Sequence, residues 1–478
     1  MNIFLGLTVI ILILNTLLSL SLVFIERKDP TTTWAWLLIV MVLPGLGFII
    51  YILLGQNLSR QKIFKKKIKF DENKRKNLSD KYEIDSDDCH HVRERFLDLI
   101  NMNFNHSGAR LTTNNKVNVY VNGKDKFKQL IEDIKNAKRY IHIEYYIFKN
   151  DILGKSIIDE LTKKAKNGLE VRLLVDSMGS RKLTKKALKE YIHAGGKFSI
   201  FFPGILPHLN TRINYRNHRK IVVIDGKFGY VGGFNVGKEY INKDPEVGFW
   251  RDTHVRIQGE AVDYLNERFL LDWCHASEED IEDYENYSEE FSEDFGDVGM
   301  QIVTSGPDHK EEYIRNAYLK LINNAKKNLY LETPYLVPDG PILESLKISA
   351  LSGVDVRIII PGKPDHFFMK WAASSYVGEL LEAGIKVYNY EKGFIHSKTI
   401  VADGAVMSIG TANMDIRSFK LNFEVNAFIY DNRIAKDGET EFLKDIKDSE
   451  EITKEIYDNR SISLRIKESL IRLVSPIL

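Results

Sequence analysis

Apolar positions crowd the first fifty residues of the chain and then give way to short alternating patterns. Ile3 to Ile25 is almost entirely apolar, with Asn15 its most polar member, and Thr33 to Leu54 is a second run without a charge. Each is about 22 residues, or about 33 Å of helix, enough to cross the hydrocarbon core of a bilayer. Glu26-Arg27-Lys28-Asp29-Pro30 separates them, a short charged loop ending in a helix-stopping proline. The pair predicts a two-helix transmembrane hairpin over residues 1–57. Trp34, Trp36 and Tyr51 lie near the ends of the second run, where amphipathic rings favour the interface, and Pro44-Gly45 predicts a kink. No basic segment precedes the first run and no small-x-small cleavage site follows it, which argues against a signal peptide.

Past the anchor, one pattern occurs twice. Phe127, Leu130, Ile131 and Ile134 share a helix face, followed by the strand-like run Tyr140 to Phe148. Ile314, Tyr318, Leu321 and Ala325 do the same ahead of Leu329 to Tyr335. Asn167-Gly168 then leads into Leu169 to Val175, and Ser352-Gly353 into Val354 to Ile360, each glycine placed where a helix stops and a strand starts. His193-Ala-Gly-Gly-Lys-Phe198 has its counterpart in Glu382-Ala-Gly-Ile-Lys-Val387. Helices alternating with apolar strands predict an α/β fold in each half. The expected division is a juxtamembrane linker at 58–112, a first half at 113–276, a linker at 277–297 and a second half at 298–478. At the end of the chain, Ile466, Leu470, Leu473 and Ile477 share one helix face, which is expected to pack into a core, with interfacial lipid contact as the alternative.

Charge changes this picture in two places. The chain as a whole carries a formal charge of only +1 over 478 residues, so it is not a polybasic nucleic-acid binder. Between Arg60 and Lys76, however, there are nine basic residues against Asp71 and Glu72. The positive-inside rule puts that flank, and everything after it, in the cytoplasm, and the cluster could also hold anionic headgroups. Residues 277–297 carry eleven acids and no Lys or Arg, which predicts a solvated linker. The two cysteines, Cys89 and Cys274, make neither a zinc pattern nor a disulfide framework and are expected to be reduced thiols.

The chemistry lies in a duplicated His-x-Lys-x-x-x-x-Asp. The first copy is His218, Lys220 and Asp225; the second is His396, Lys398 and Asp403. On an extended chain, residues i and i+2 share a face, so His and Lys of each copy can address one phosphate. Ten residues after each Asp stands an Asn, Asn235 and Asn413, preceded by Gly232-Gly233-Phe234 and Gly410-Thr411-Ala412. Small residues there let amide donors approach an anion. A lone strand histidine is most often a satisfied core residue, but lysine is rarely buried without a charged partner. Two of each, in matching positions, describe an anion site. No cluster has metal-ligand spacing, and no cofactor is expected.

These residues resemble the duplicated His-Lys-Asp motif of the phospholipase D superfamily. Thr31 to Trp36 with Pro44-Gly45, Glu144-Tyr-Tyr-Ile-Phe148, Trp250-Arg-Asp-Thr-His254, Glu332-Thr-Pro-Tyr335 and the closing Arg472 to Leu478 resemble, more narrowly, the bacterial cardiolipin synthases. The first copy departs from the superfamily in having Gly-Gly-Phe-Asn where Gly-Ser-x-Asn is common, so a hydroxyl is absent there. The resemblance implies two phospholipase D-like halves, mixed sheets flanked by helices, with both motifs meeting at one interface behind an N-terminal membrane hairpin. It implies phosphatidyl transfer from one phosphatidylglycerol to another through a phosphohistidine, with Lys220, Lys398, Asn235 and Asn413 holding the phosphate and Asp225 and Asp403 anchoring the motifs. One histidine attacks and the other serves as acid and base; in related enzymes the first is usually the nucleophile. Asp252 and Glu424 are the candidate acidic residues, downstream of the motifs, that orient the histidines. The rival readings are a membrane-anchored phospholipase or nuclease using water, and an inactive membrane scaffold. Phosphatidylglycerol and the anionic membrane are the expected partners, and nucleic acid is not.

Overall fold

The computed structural model describes residues 2–24, 30–51, 64, 67–68, 95–202, 214–279, 281, 284–287, 294–309, 311–365 and 367–475. The loop expected at 26–29, most of the basic stretch, Cys89, and the chain end from 476 lie outside the described residues.

The first apolar run is a single helix, α1 (Asn2–Phe24), long enough to cross a bilayer. The second differs from the expected continuous, kinked helix. It is broken into α2 (Pro30–Val42) and α3 (Leu46–Ile50). Pro44 lacks the amide hydrogen a helix needs, and Gly45 takes a left-handed φ of 79°, so the helix stops there. Asn15 caps the break: its amide donates to the Val40 carbonyl at 3.1 Å, and Gly45 N–H donates to its oxygen at 3.4 Å.

The first half builds one sheet from β1 (Asn115–Tyr120), β2 (Tyr140–Tyr145), β3 (Glu170–Asp176), β4 (Lys197–Phe201), β6 (Ile221–Ile224), β7 (Phe228–Gly232) and β9 (His254–Gly259), in the order β1-β9-β7-β6-β2-β3-β4. Two short strands, β5 (Arg216–Asn217) and β8 (Phe249–Arg251), stand apart from it. The second half uses β10 (Gly299–Ser305), β11 (Asn328–Glu332), β13 (Asp355–Pro361), β14 (Lys386–Tyr390), β16 (Thr399–Ala402), β17 (Val406–Gly410) and β19 (Asn422–Tyr430) in the order β10-β19-β17-β16-β11-β13-β14, with β20 (Ser449–Glu451) added at the edge. The orders match strand for strand, and in both the three strands β2-β3-β4 or β11-β13-β14 run parallel while the rest are antiparallel. The repeat read from the sequence is therefore a repeat of topology.

The halves pack sheet against sheet. Val223, Val231 and Val255 of the first sheet share a core with Ile302, Val401, Ile409 and Val425 of the second. The alternate residues, Val222 and Ile224 on one side and Ile400 and Ala402 on the other, face outer helix layers. This period of two is what a strand buried on both faces demands. Leu97–Ser107, inside the stretch expected to be a linker, is a helix whose Leu99 and Ile100 pack into the core of the second half. The described parts of the acidic segment are docked as well: Glu279 accepts from the Trp273 indole at 2.8 Å and pairs with Lys197 at 2.6 Å, and Ile281 is buried.

Two crossings tie the halves together. β5, just before His218, pairs in parallel with the start of β19, and β15 (Gly393–Ile395), just before His396, pairs in parallel with β8. His218 N–H donates to the Phe423 carbonyl at 2.9 Å, and His396 N–H donates to the Arg251 carbonyl at 2.7 Å. The residue after each acceptor is an acid, Glu424 and Asp252.

Candidate active site

Each histidine is oriented by a carboxylate of the opposite half. Nδ1 of His218 lies 3.0 and 2.9 Å from the two oxygens of Glu424, and Nδ1 of His396 lies 2.6 Å from Asp252 Oδ2. Both acids stand downstream of a motif as expected, but each serves the other motif's histidine. An ionised carboxylate only accepts, so Nδ1 carries the proton and Nε2 keeps its lone pair. Burial drives both imidazoles down to about 4; for His218 the pull of Glu424 opposes this, and for His396 Lys398 reinforces it before Asp252 opposes it. Burial alone would raise Asp252 and Glu424, but the cations and hydrogen bonds around them hold both below the usual carboxylate range. The site thus holds two neutral imidazoles on two ionised carboxylates.

The two lysines sit beside them. Lys220 Nζ donates to the His218 carbonyl at 2.6 Å, and Lys398 Nζ donates to the His396 carbonyl. Both are buried, which pushes Lys220 down to about 7 and Lys398 down to about 8, against the pull of Glu424 and Asp252. Lys398 also lowers Lys220 and His218, and Lys220 lowers His396, so the motifs from the two halves form one electrostatic site. An ammonium has three donors, and one on a carbonyl leaves others for an anion. Two lysines held near neutrality favour a ligand that brings negative charge.

Asp225 and Asp403, expected to anchor the motifs, stand apart from the histidines and lysines and bind backbone. Each lies at the far end of its strand, roughly 16 Å along the chain from the motif lysine. Each takes a left-handed φ, 57° and 56°, in a tight Asp-Gly turn. Asp225 accepts from the amides of Lys138, Arg139 and Tyr140 at 2.8, 2.7 and 3.0 Å. Asp403 accepts from those of Lys327 and Asn328 at 2.7 and 2.9 Å. They clamp β6 and β16 to the starts of β2 and β11 and do not touch the histidines. Asn235 is also tied into structure, accepting from Ile147 N–H at 3.2 Å and donating to Tyr240 OH at 3.1 Å. Asn413 Oδ1 is buried without a hydrogen-bond partner among the described residues.

The missing hydroxyl of the first copy has a steric cause. In the second copy, Thr411 donates its hydroxyl to Glu424 at 2.5 Å, so that group braces a carboxylate. Its counterpart is Gly233, where an added Cβ would stand 1.9 Å from Asp252 Oδ1. The shorter Asp252 must come closer to the turn, and only glycine leaves it room.

Several contacts were not read from the sequence. The Tyr146 ring meets His218 edge-on at 4.9 Å, and the Trp250 ring lies 5.2 Å from His396. Both rings lie in segments that carry the family resemblance, Glu144 to Phe148 and Trp250 to His254, and that was the available signal. Glu144 accepts from Asn217 at 2.5 Å, and its carboxyl is pushed up to about 8 by burial and by Asp272, which Arg219 opposes. Arg219 points away from His218, as the strand geometry predicts, and pairs with Asp272 at 2.5 Å. Lys67, one of the nine basic residues expected to flank the membrane, is fully buried and pairs with Asp308 at 3.0 Å. Phe64 packs on Tyr215 and Phe423, 5.4 Å from each ring, one residue from Glu424.

Two like α/β halves with a histidine and a lysine from each, meeting at one buried seam, define a phosphodiester-transferring enzyme of the phospholipase D type. The family model described as "Cardiolipin synthase, PLD-like domain" matches residues 130–273 and 318–446, and one described as "Phospholipase_D-nuclease N-terminal" matches residues 13–56. A cardiolipin synthase of Clostridium perfringens strain SM101 is 52% identical over 463 residues, 95% of this chain and 96% of that protein. The major cardiolipin synthase of Bacillus subtilis strain 168 is 50% identical over 471 residues, 98% of each chain. Among solved structures, the phosphatidylserine synthase of Haemophilus influenzae Rd KW20 covers 81% of this chain and all of its own, with a TM-score of 0.57 at 14% identity, a likeness of fold alone. The chain belongs to the cardiolipin synthase family.

Proposed function

We propose that this enzyme moves a phosphatidyl group from one phosphatidylglycerol to the headgroup of a second, giving cardiolipin and free glycerol. The observation that carries the mechanism is the pair of imidazoles, each fixed through Nδ1 by a carboxylate of the opposite half, beside two buried lysines. The phosphodiester brings a negative charge that both lysines and one imidazolium would share, so substrate binding favours uptake of a proton by one histidine. The neutral His218 Nε2 attacks phosphorus, and the bond to the glycerol oxygen breaks. His396, protonated, gives its proton to that oxygen. The phosphatidyl-histidine is then attacked by the hydroxyl of a second phosphatidylglycerol, whose proton returns to His396 as the N–P bond breaks. Positioned acid–base help of this kind is worth about 10²–10⁴-fold. The choice of His218 as nucleophile rests on resemblance, because the two imidazoles have nearly equal surroundings.

Labelled phosphatidylglycerol given to the purified protein in detergent, with a chelator present, should yield cardiolipin and glycerol in equal amounts. Dominant phosphatidic acid would mean hydrolysis instead, and loss of activity on chelation would end the metal-free scheme. In a His396→Ala enzyme, a substrate with a good leaving group should leave an adduct that maps to His218. An adduct on His396 in the His218→Ala enzyme would reverse the assignment.

The catalytic halves are assigned to the cytoplasmic side, from the nine basic residues after the second apolar run. A reporter fused after Leu478 should then be active only if it works in the cytoplasm.

A further inference from the structure

The last helix, Ile462–Val474, is amphipathic in the reverse sense for a water-facing helix. Its one fully enclosed residue is Glu468, which pairs with Arg460 at 2.9 Å. Arg472 also turns inward, donating to the Ser375 carbonyl at 2.9 Å and pairing with Glu379. The helix lies against Phe367–Glu382, where Tyr376 and Ser475 join hydroxyls at 2.8 Å. Ile462, Ile466, Leu470 and Leu473 point the other way and are 76, 55, 59 and 55% exposed. At 100° per residue these four fall within about 80° of one another, a single stripe. The core packing expected for Ile466, Leu470 and Leu473 is therefore not what the fold provides, and Ile477 lies outside the described residues.

A water-facing helix would place these side chains inward, so a contiguous apolar stripe held outward marks a contact surface. Its surroundings identify the partner. Arg465 and Lys467 flank the stripe on opposite sides and are exposed, and with Arg472 against Glu468 the helix carries a charge of +2. Lys467 lies over the Trp371 ring at 5.1 Å, and Trp371 meets the exposed Phe368 at 5.6 Å. Aliphatic residues between cations, with aromatic rings alongside, fit the boundary between headgroups and acyl chains of an anionic bilayer. The neighbouring helix also borders a small cavity of about 60 Å³, lined by Tyr335, Asp365, Met369 and Lys370 among others. Asp365 on its wall is near enough to Lys398 to act on its charge.

We propose that Ile462–Val474 is an interfacial helix that seats the catalytic body on the anionic lipid surface, a second membrane contact besides the N-terminal anchor. This rests on the reading of the substrate as an anionic membrane lipid. The seat would hold the face that carries this cavity against the layer from which headgroups enter.

The test uses the full-length protein with Cys89→Ser in vesicles of phosphatidylglycerol and phosphatidylcholine. Cys274 is buried and stays. Nitroxides are attached at Ile466→Cys and Leu470→Cys, with Lys444→Cys on an exposed helix face as the water control. The labels at 466 and 470 should collide with dissolved oxygen more than with a water-soluble nickel chelate, and the label at 444 should do the opposite. Water-like accessibility at 466 and 470 would overturn the proposal, and so would dipolar broadening between labels of two copies, which would make the stripe a self-association face. A variant with serine at positions 462, 466, 470 and 473 should make cardiolipin in mixed micelles as the parent does, and lose on the order of tenfold on bilayer substrate. Equal loss in both systems would overturn the proposal. If the parent makes no cardiolipin in either system, the reading of the reaction fails while the label positions still decide the helix.

Discussion

Burial takes the imidazoles of His218 and His396 from 6.5 to about 4, so the folded protein binds these two protons more weakly than the unfolded chain does. The stability they contribute is complete above about 6.5 and is lost as the pH falls through the window down to about 4, because there the unfolded state takes up more protons. The unfolding midpoint in detergent should fall across that window. A His218→Gln/His396→Gln protein should show a flatter profile there. The carboxylates also set the tautomer. Glu424→Gln and Asp252→Asn keep the shape but offer an amide that can present a donor to Nδ1 and so turn the proton toward Nε2. Each should cut kcat by about 10²–10⁴-fold with little change in KM, read from initial rates of glycerol release. A change confined to KM would mean that these acids hold substrate and not the histidines.

At the scale of elements, Gly233 shows how closely the turns are matched to what they support. Gly233→Ala would drive a methyl into Asp252, which orients the histidine of the other half. It should therefore impair the His396 function while leaving Lys220 and Lys398 in place. Thermal unfolding together with adduct trapping on His218 separates the effects: the adduct should still form, with turnover much reduced. The strands carrying the motifs were legible in the sequence, because β6 and β16 are apolar runs of four residues bounded by His-x-Lys and Asp-Gly. The repeat was legible because helix-period and strand-period patterns recur in the same order. The crossings were not. β5 and β8 are two and three residues long, too short to show a period, and their partners lie 206 and 144 residues away, as the spans from His218 to Glu424 and from Asp252 to His396 show. The anchoring role of Asp225 and Asp403 was legible in the resemblance, but their partners were not: a motif fixes spacing along the chain, while a strand of four residues sets the lysine and the aspartate at its opposite ends. The break at Pro44-Gly45 was legible as a perturbation, and its size depended on Asn15, which takes up the carbonyl and amide that the break frees.

At the scale of the molecule, the seam makes each half insufficient. A single chain supplies both histidines and both carboxylates, so a full-length His218→Ala chain co-expressed with a full-length His396→Ala chain should restore no cardiolipin synthesis. Restored synthesis would mean that sites assemble between copies. The basic stretch belongs to this scale too. Lys67 is enclosed by Asp308 and Asp272, and Phe64 by the rings around Phe423, so the segment that leaves the membrane is anchored in the same seam that positions Glu424.

The exchange of carboxylates has a consequence for symmetry. A lone half of this kind would hold a histidine with nothing to orient it and an acid with nothing to orient. Two identical copies could complete each other only by facing across a twofold axis, each lending its acid to the other's histidine. One polypeptide that holds both halves is free of the requirement that they be identical. Threonine with glutamate on one side and glycine with aspartate on the other use that freedom: two solutions to one task, which a symmetric pair could not hold at once.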